Sequence, residues 1–251
     1  YDTQGRAVVT EHAGGADRYV LGYSADGSNT LVTDPLNSQY THTFQTILGV
    51  AKSTGQSQPA GSGCSAAASS ITYDVNGNAA SRADFNGNKT CYAYDLTRNL
   101  EIARVEGLSS GSACPGDLLS YVPAANSSER KILTTWHASF RLPTLIAESK
   151  RETSYVYDTH GNVTQHQIKD TTTNATRTWN TSYSYHPSIP GVILQKTEDG
   201  PRFDVTDITT TDYTLIKQFE LTYDTGNSRR LLDKVKWKDT AGSLVGQYSC
   251  G

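Results

Sequence analysis

The sequence has no Met, and its 251 residues hold only 4 Cys, 5 Phe and 3 Trp. A translated chain starting at residue 1 would carry an initiator, so the expectation is a segment of a longer polypeptide, or one whose start and leader were removed. Long apolar runs are missing as well. No stretch approaches the roughly 20 apolar residues that span a bilayer as a helix, and Tyr1-Asp2-Thr3-Gln4-Gly5-Arg6 is not the apolar run of a signal peptide. Excess positive charge is absent: 22 Lys and Arg face 25 Asp and Glu, a formal net charge of −3. Binding to nucleic acid or anionic lipid would need a basic stripe to neutralise phosphates, so neither is an expected partner. The cysteines Cys64, Cys91, Cys114 and Cys250 form no Cys-x-x-Cys pair, which argues against a zinc knuckle or a thioredoxin-type centre. There is no Gly-x-Ser-x-Gly elbow, no phosphate-binding loop ending in Lys-Ser/Thr and no His-Glu-x-x-His. Taken together these gaps predict a chain that is not an enzyme and uses no cofactor.

What is abundant points to strands. The 15 Tyr against 5 Phe, with many Thr and Ser, suit sheets with one wet face, because tyrosine packs its ring and keeps its hydroxyl in water. The apolar fraction of 36% lies below the usual range of about 45–50%, which counts Gly, and the length suffices for a buried core.

A repeat is visible. Tyr1-Asp2-Thr3-Gln4-Gly5-Arg6, Tyr73-Asp74-Val75-Asn76-Gly77-Asn78 and Tyr157-Asp158-Thr159-His160-Gly161-Asn162 share the form Tyr-Asp-x-x-Gly-(Arg/Asn). Weaker relatives are Tyr94-Asp95-Leu96-Thr97-Arg98-Asn99, without the Gly, and Tyr223-Asp224-Thr225-Gly226-Asn227, one residue short; Tyr23-Ser24-Ala25-Asp26-Gly27-Ser28 is a further decayed copy. The unit from Gly87 to Gly107 reads as strand, turn, strand. Tyr92 and Tyr94 alternate with Ala93 ahead of the turn, and Leu100 and Ile102 alternate after it, a period of about 2. Asp can bond the amides ahead of it and Gly or Asn tolerates positive φ, so the motif is turn chemistry. Copies about 21 residues apart set the unit, and longer gaps hold insertions near 55–70 and 107–130, where small polar residues collect and Cys114-Pro115-Gly116 falls. Within the second insertion Asp117-Leu118-Leu119-Ser120-Tyr121 suggests a helical turn. No domain boundary is expected within 1–251, because similar hairpins continue on both sides of each loop.

These units resemble the YD or RHS repeats of bacterial Rhs proteins, of the shell-forming components of Tc toxins and of animal teneurins. Thr135-Trp136-His137-Ala138-Ser139-Phe140-Arg141-Leu142-Pro143-Thr144, Tyr155-Val156-Tyr157-Asp158 and Asp199-Gly200-Pro201-Arg202 look like the Gram-negative Rhs-type branch. The resemblance implies an all-β fold, an array of antiparallel hairpins spiralling into a hollow shell or strip that encloses a C-terminal toxin cargo. It also implies that each hairpin relies on its neighbour and that sheet edges invite self-association. The expected location is secreted or at the cell surface of a bacterium. The family's paired Asp-Pro-x-Gly self-cleavage segments are not matched, since Asp34-Pro35-Leu36-Asn37 lacks the Gly and has no second copy.

Other candidates have plain alternatives. A Cys91–Cys114 bridge would close a loop of about two dozen residues and restrict the unfolded chain by roughly 3 kcal/mol; buried free thiols in a reducing compartment are the other reading. His160 and His166 have metal-ligand character but flank a predicted turn, and His12, His42, His137 and His186 are scattered. Asp204 and Asp207, an odd step apart, fall on opposite strand faces and do not converge as an acid–base pair. The turns around Asp74 and Asp84 bring calcium to mind without the distal Glu of a binding loop. Asn88, Asn126, Asn162, Asn174 and Asn180 match glycan acceptor sequons in a sequence where Asn and Thr are frequent. Trp136, Trp179 and Trp237 could stack on sugars, against cross-strand aromatic packing. The leading expectation is a wall segment of a toxin shell; an adhesion or carbohydrate-binding module and a self-associating extracellular fibre are the alternatives.

Overall fold

The computed structural model describes residues 1–109, 111–201, 208–212, 218–223, 232–238 and 243–249. It is all-β and antiparallel, with a 3-10 turn at Ala13–Gly15 as the helical element among the described residues. No helix among these residues is long and apolar enough to cross a membrane. The chain divides into two compact units, Tyr1–Thr153 with Asp170–Thr173, and Ser154–Lys169 with Asn174–Gly251.

The first unit begins with β1 (Val9–Thr10), β2 (Tyr19–Tyr23), β3 (Asn29–Thr33), β4 (Gln39–Ile47) and β5 (Val50–Gln58). It continues with β6 (Ala67–Tyr73), β7 (Ala79–Ala83), β8 (Lys89–Asp95), β9 (Leu100–Leu108), β10 (Arg130–Trp136) and β11 (Pro143–Ala147). Each pairs with the next in chain order. Such a meander follows from short turns, because a tight connection returns the chain beside the strand it has just left. β12 (Arg151–Tyr157) runs from the first unit into the second. There β13 (Val163–Asp170), β14 (Thr176–Tyr185), β15 (Ile193–Asp199) and β16 (Ile208–Asp212) again pair in order. A separate three-stranded sheet holds β17 (Gln218–Tyr223), β18 (Leu232–Lys238) and β19 (Leu244–Ser249).

Burial shows where a core can form. Along β6 the side chains alternate between half-buried and exposed, as expected of a sheet with a wet face. Among the described residues a buried apolar cluster forms on β8 and β9 instead: Cys91, Ala103, Val105 and Leu108, joined by Leu118. Leu118 belongs to the segment 111–129, which folds over these strands as a flap. The predicted insertion is therefore a second layer, and it supplies the cover that a lone sheet lacks. Its helical hint is one turn, closed where the Tyr121 N–H donates to the Asp117 carbonyl at 3.1 Å.

The other insertion is narrower than expected. β5 reaches Gln58 and β6 starts at Ala67, so only 59–66 connect them, and an isolated bridge between Gly61 and Cys64 tightens that link. The small polar residues that read as loop are strand because of close packing. Gly55 pairs with Ser70, and a Cβ on Gly55 would lie 2.4 Å from the Ser69 carbonyl oxygen. Only glycine lets the strands approach so closely.

Candidate functional site

The repeated turns share one set of bonds. In the turn after Tyr73, the Asp74 N–H donates to the Asn78 carbonyl at 2.9 Å and the Gly77 N–H to the Asp74 carbonyl at 3.0 Å. Asp74 Oδ1 accepts the amides of Asn76 and Asn78 at 2.9 and 2.8 Å. Gly77 sits at φ 76°, which makes this a type I turn followed by a bulge residue in the left-handed region. The turns at Asp2 and Asp158 repeat the pattern, with Asp2 Oδ1 accepting from Gln4 and Arg6 and Asp158 Oδ1 from His160 and Asn162. The sixth motif position is explained by the second carboxylate oxygen. Arg6 Nε donates to Asp2 Oδ2 at 2.6 Å and Asn78 Nδ2 to Asp74 Oδ2 at 2.9 Å.

Two further turns have the same bonds without a leading Tyr, and the motif did not find them. Asp84 accepts from the Asn86 and Asn88 amides, with Gly87 at φ 81°. Asp34 accepts from Leu36 and Ser38, with Asn37 at φ 62° in place of glycine. The usable signal was Asp with Gly or Asn three residues on. Asp95 heads a variant in which its Oδ1 takes the Thr97 amide at 2.9 Å and Asn99 carries the positive φ. Tyr223 ends β17 opposite Leu232, while Asp224 lies outside the described residues, as do Asp204, Asp207 and Cys250.

The carboxylates respond to these donors. Asp26 in the decayed copy is lowered from 3.8 to about 2, first by the Ser28 amide and then by the Ser24 and Ser28 hydroxyls. Asp2 is lowered first by the Arg6 amide, and Asp84 first by the Asn88 side chain. For Asp158 burial works upward, but bonds from Tyr185 and from Asn162 and His160 prevail and leave it lowered.

The tyrosines act across hairpins. Tyr73 donates its hydroxyl to the Ser53 carbonyl at 2.6 Å, Tyr23 to Ala7 at 2.8 Å and Tyr183 to Val163 at 3.1 Å. Tyr94 and Tyr157 are half-buried, and burial raises both hydroxyl pKa values; Tyr1 is 90% exposed. Neighbouring turn tips are tied as well. Asn76 Nδ2 donates to Leu96 O and Asn99 Oδ1 at 2.7 and 2.8 Å. Arg98 reaches the His137 and Phe140 carbonyls, both at 2.8 Å, and Arg141 reaches back to Arg98 O at 2.6 Å. In the second unit Tyr185 donates to Asp158 Oδ2, and the His160 ring lies 4.4 Å from the Tyr185 ring.

Trp179 is the end of a cross-strand stack. Tyr155 and His166 lie 4.9 Å apart at 11°, and His166 and Trp179 lie 4.9 Å apart at 22°. His166 is covered on both faces, and Trp179, at the end, has one face in the stack. His160 and His166 are separated by the turn at Gly161 and join different aromatic pairs. Trp136 donates Nε1–H to the Glu101 carbonyl at 2.7 Å beside a groove of about 380 Å³ that Arg104, Arg141 and Ile146 also line. Trp237 lies in β18, and its side chain is outside the described residues.

Cys91 and Cys114 are disulfide-bonded, which ties the flap to β8, while Cys64 is free and exposed. A larger groove of about 660 Å³ runs between the flap and the ends of β10 and β11. Three of its charged groups are engaged. Glu129 accepts the Tyr121 hydroxyl at 2.7 Å, Lys131 donates to Leu119 O and Tyr121 O, and Glu148 pairs with Arg130 and Arg151. The two bonds from Lys131 fasten the flap to β10. Among the described residues no group of His, Cys, Asp and Glu is placed to hold a metal ion.

No family model and no curated protein matches the chain. Among solved structures it is similar to a porin-like protein from Bacteroides uniformis ATCC 8492, with TM-score 0.34 and 10% identity over 92% of this chain and 93% of that one. A likeness of that size carries no argument about what the chain does.

Proposed function

We propose that this chain is a non-catalytic structural segment of a secreted Rhs-type YD-repeat protein, part of a β-shell wall that encloses or carries a C-terminal toxin domain. The observation that carries the reading is the recurrence of one Asp-x-x-Gly turn, with tyrosine hydroxyls bonded to carbonyls of the preceding hairpin. A hairpin held by its neighbour is the element of a wall that grows by addition, since each unit buries its faces only against the next. The disulfide supports export, because such bonds persist in oxidising compartments. The partners are the remainder of the parent chain and its cargo. The adhesion reading needs the outer face of Trp179, the end ring of the Tyr155–His166–Trp179 stack, and the fibre reading needs open edges in the whole parent protein.

The test is protease protection of the parent polypeptide recovered from culture medium. The proposal expects the region after the repeats to survive digestion until the repeats themselves are unfolded. Digestion of that region at the rate of a free domain, with the repeats intact, would overturn the enclosure reading.

A further inference from the structure

The sequence contains two Asn-Gly steps, Asn76-Gly77 and Asn86-Gly87, and the fold puts them in the same place of the same turn. In both, the glycine amide donates to the aspartate carbonyl, at 3.0 Å in one and 2.9 Å in the other. The asparagine amide donates to the aspartate Oδ1 at 2.9 Å in each. Their side chains differ. Asn76 is half-buried and its Nδ2 is held by Leu96 O and Asn99 Oδ1. Gly77 is buried beneath Lys52, whose Nζ donates to the Gly77 carbonyl at 2.5 Å. Asn86 is exposed, while both turns are closed by the asparagine two residues on, Asn78 onto Asp74 Oδ2 at 2.9 Å and Asn88 onto Asp84 Oδ2 at 3.0 Å.

We propose that Asn86 is a site of spontaneous deamidation and isoaspartate formation, and that Asn76 is its protected counterpart. The Gly87 backbone nitrogen attacks Asn86 Cγ, its proton passes to the departing amide, and ammonia leaves as the C–N bond breaks, closing a succinimide. Water then opens the ring at either carbonyl, yielding Asp or isoaspartate at position 86 with no change of oxidation state. Glycine on the far side leaves the attacking nitrogen unshielded, and a free side-chain amide can rotate into reach. The isoaspartate product adds a backbone atom to the turn and places a carboxylate beside Asp84. That combination disturbs the amide contacts that close the link between β7 and β8, next to the Ala83 and Lys89 pair.

Peptide mapping of the full chain, aged at mildly alkaline pH in native buffer and in urea, tests this. Electron-based fragmentation separates aspartate from isoaspartate at each site. In native buffer Asn86 should convert roughly tenfold faster than Asn76, the margin expected when amide hydrogen bonds must break before attack. In urea the two rates should converge, which shows that the fold and not the neighbouring sequence sets the difference. Equal native rates, faster loss at Asn76, or an Asn86 that stays intact while the urea sample converts would each overturn the proposal.

Discussion

Removing the Cys91–Cys114 cross-link is the perturbation whose size can be worked most directly. The bridge spans a sequence separation of 23, and the chain-entropy model gives about 3 kcal/mol for a loop of that length. It also fastens Leu118 over Cys91, Ala103, Val105 and Leu108, the best-buried cluster among the described residues. Releasing the flap therefore costs cross-link entropy and allows water to compete for that cluster. Urea unfolding, followed through Trp136 in the first unit, reads the loss. With a slope of about 1–3 kcal/mol per molar urea, the midpoint should fall by roughly 1–3 M. A Cys91→Ala/Cys114→Ala double variant and the wild type treated with a phosphine reductant should shift alike. An unchanged midpoint in both would refute the claim that the bridge holds the flap closed.

Glycine positions offer a graded series. Gly5→Ala meets open space and should cost only the left-handed strain, about 1–2 kcal/mol, whereas Gly107→Ala would put its Cβ 2.4 Å from the Ser128 carbonyl oxygen and should cost more, as read by thermal unfolding. Asp26 should titrate with a carboxyl midpoint near 2 rather than 3.8 by carbon NMR. Because its folded value is depressed, its contribution to stability is present above the unfolded value and is lost as pH falls through the folded one, so an Asp26→Asn variant should lose only that group's share of the wild type's pH dependence between about 4 and 2, with Asp2, Asp84 and Asp158 supplying the rest. Trp179→Ala should lower stability by about 3 kcal/mol or more through loss of the stack with His166, and glycan arrays should show no binding that depends on it.

The hairpin pattern was legible because it is written locally. Asp-x-x-Gly fixes a turn from its own side chain and one positive φ, and Tyr92-Ala93-Tyr94 displays its alternation without help from distant residues. The leading Tyr proved separable from the turn, since Asp34 and Asp84 make the same corners without it; the tyrosine serves the neighbouring hairpin, a relation no local window contains. Gly55 was misread because smallness marks a loop and a close strand approach equally, and only Ser69 across the pair decides between them. The Cys91–Cys114 bond was one of two open readings, for loop length gives the value of a bridge and not its existence. The stack of Tyr155, His166 and Trp179 depends on register between three strands, which sequence spacing alone does not fix.

The central claim is that the Asp-x-x-Gly turns are the ordered corners of the sheet, held by the aspartate. Amide hydrogen exchange at Asn76, Gly77 and Asn78, in the wild type and in Asp74→Ala, tests it most directly. Slow exchange is expected in the wild type, with protection lost at Asn76 and Asn78 in the variant while the amides of β14 keep theirs. Exchange at the rate of an unstructured peptide in the wild-type turn would contradict it.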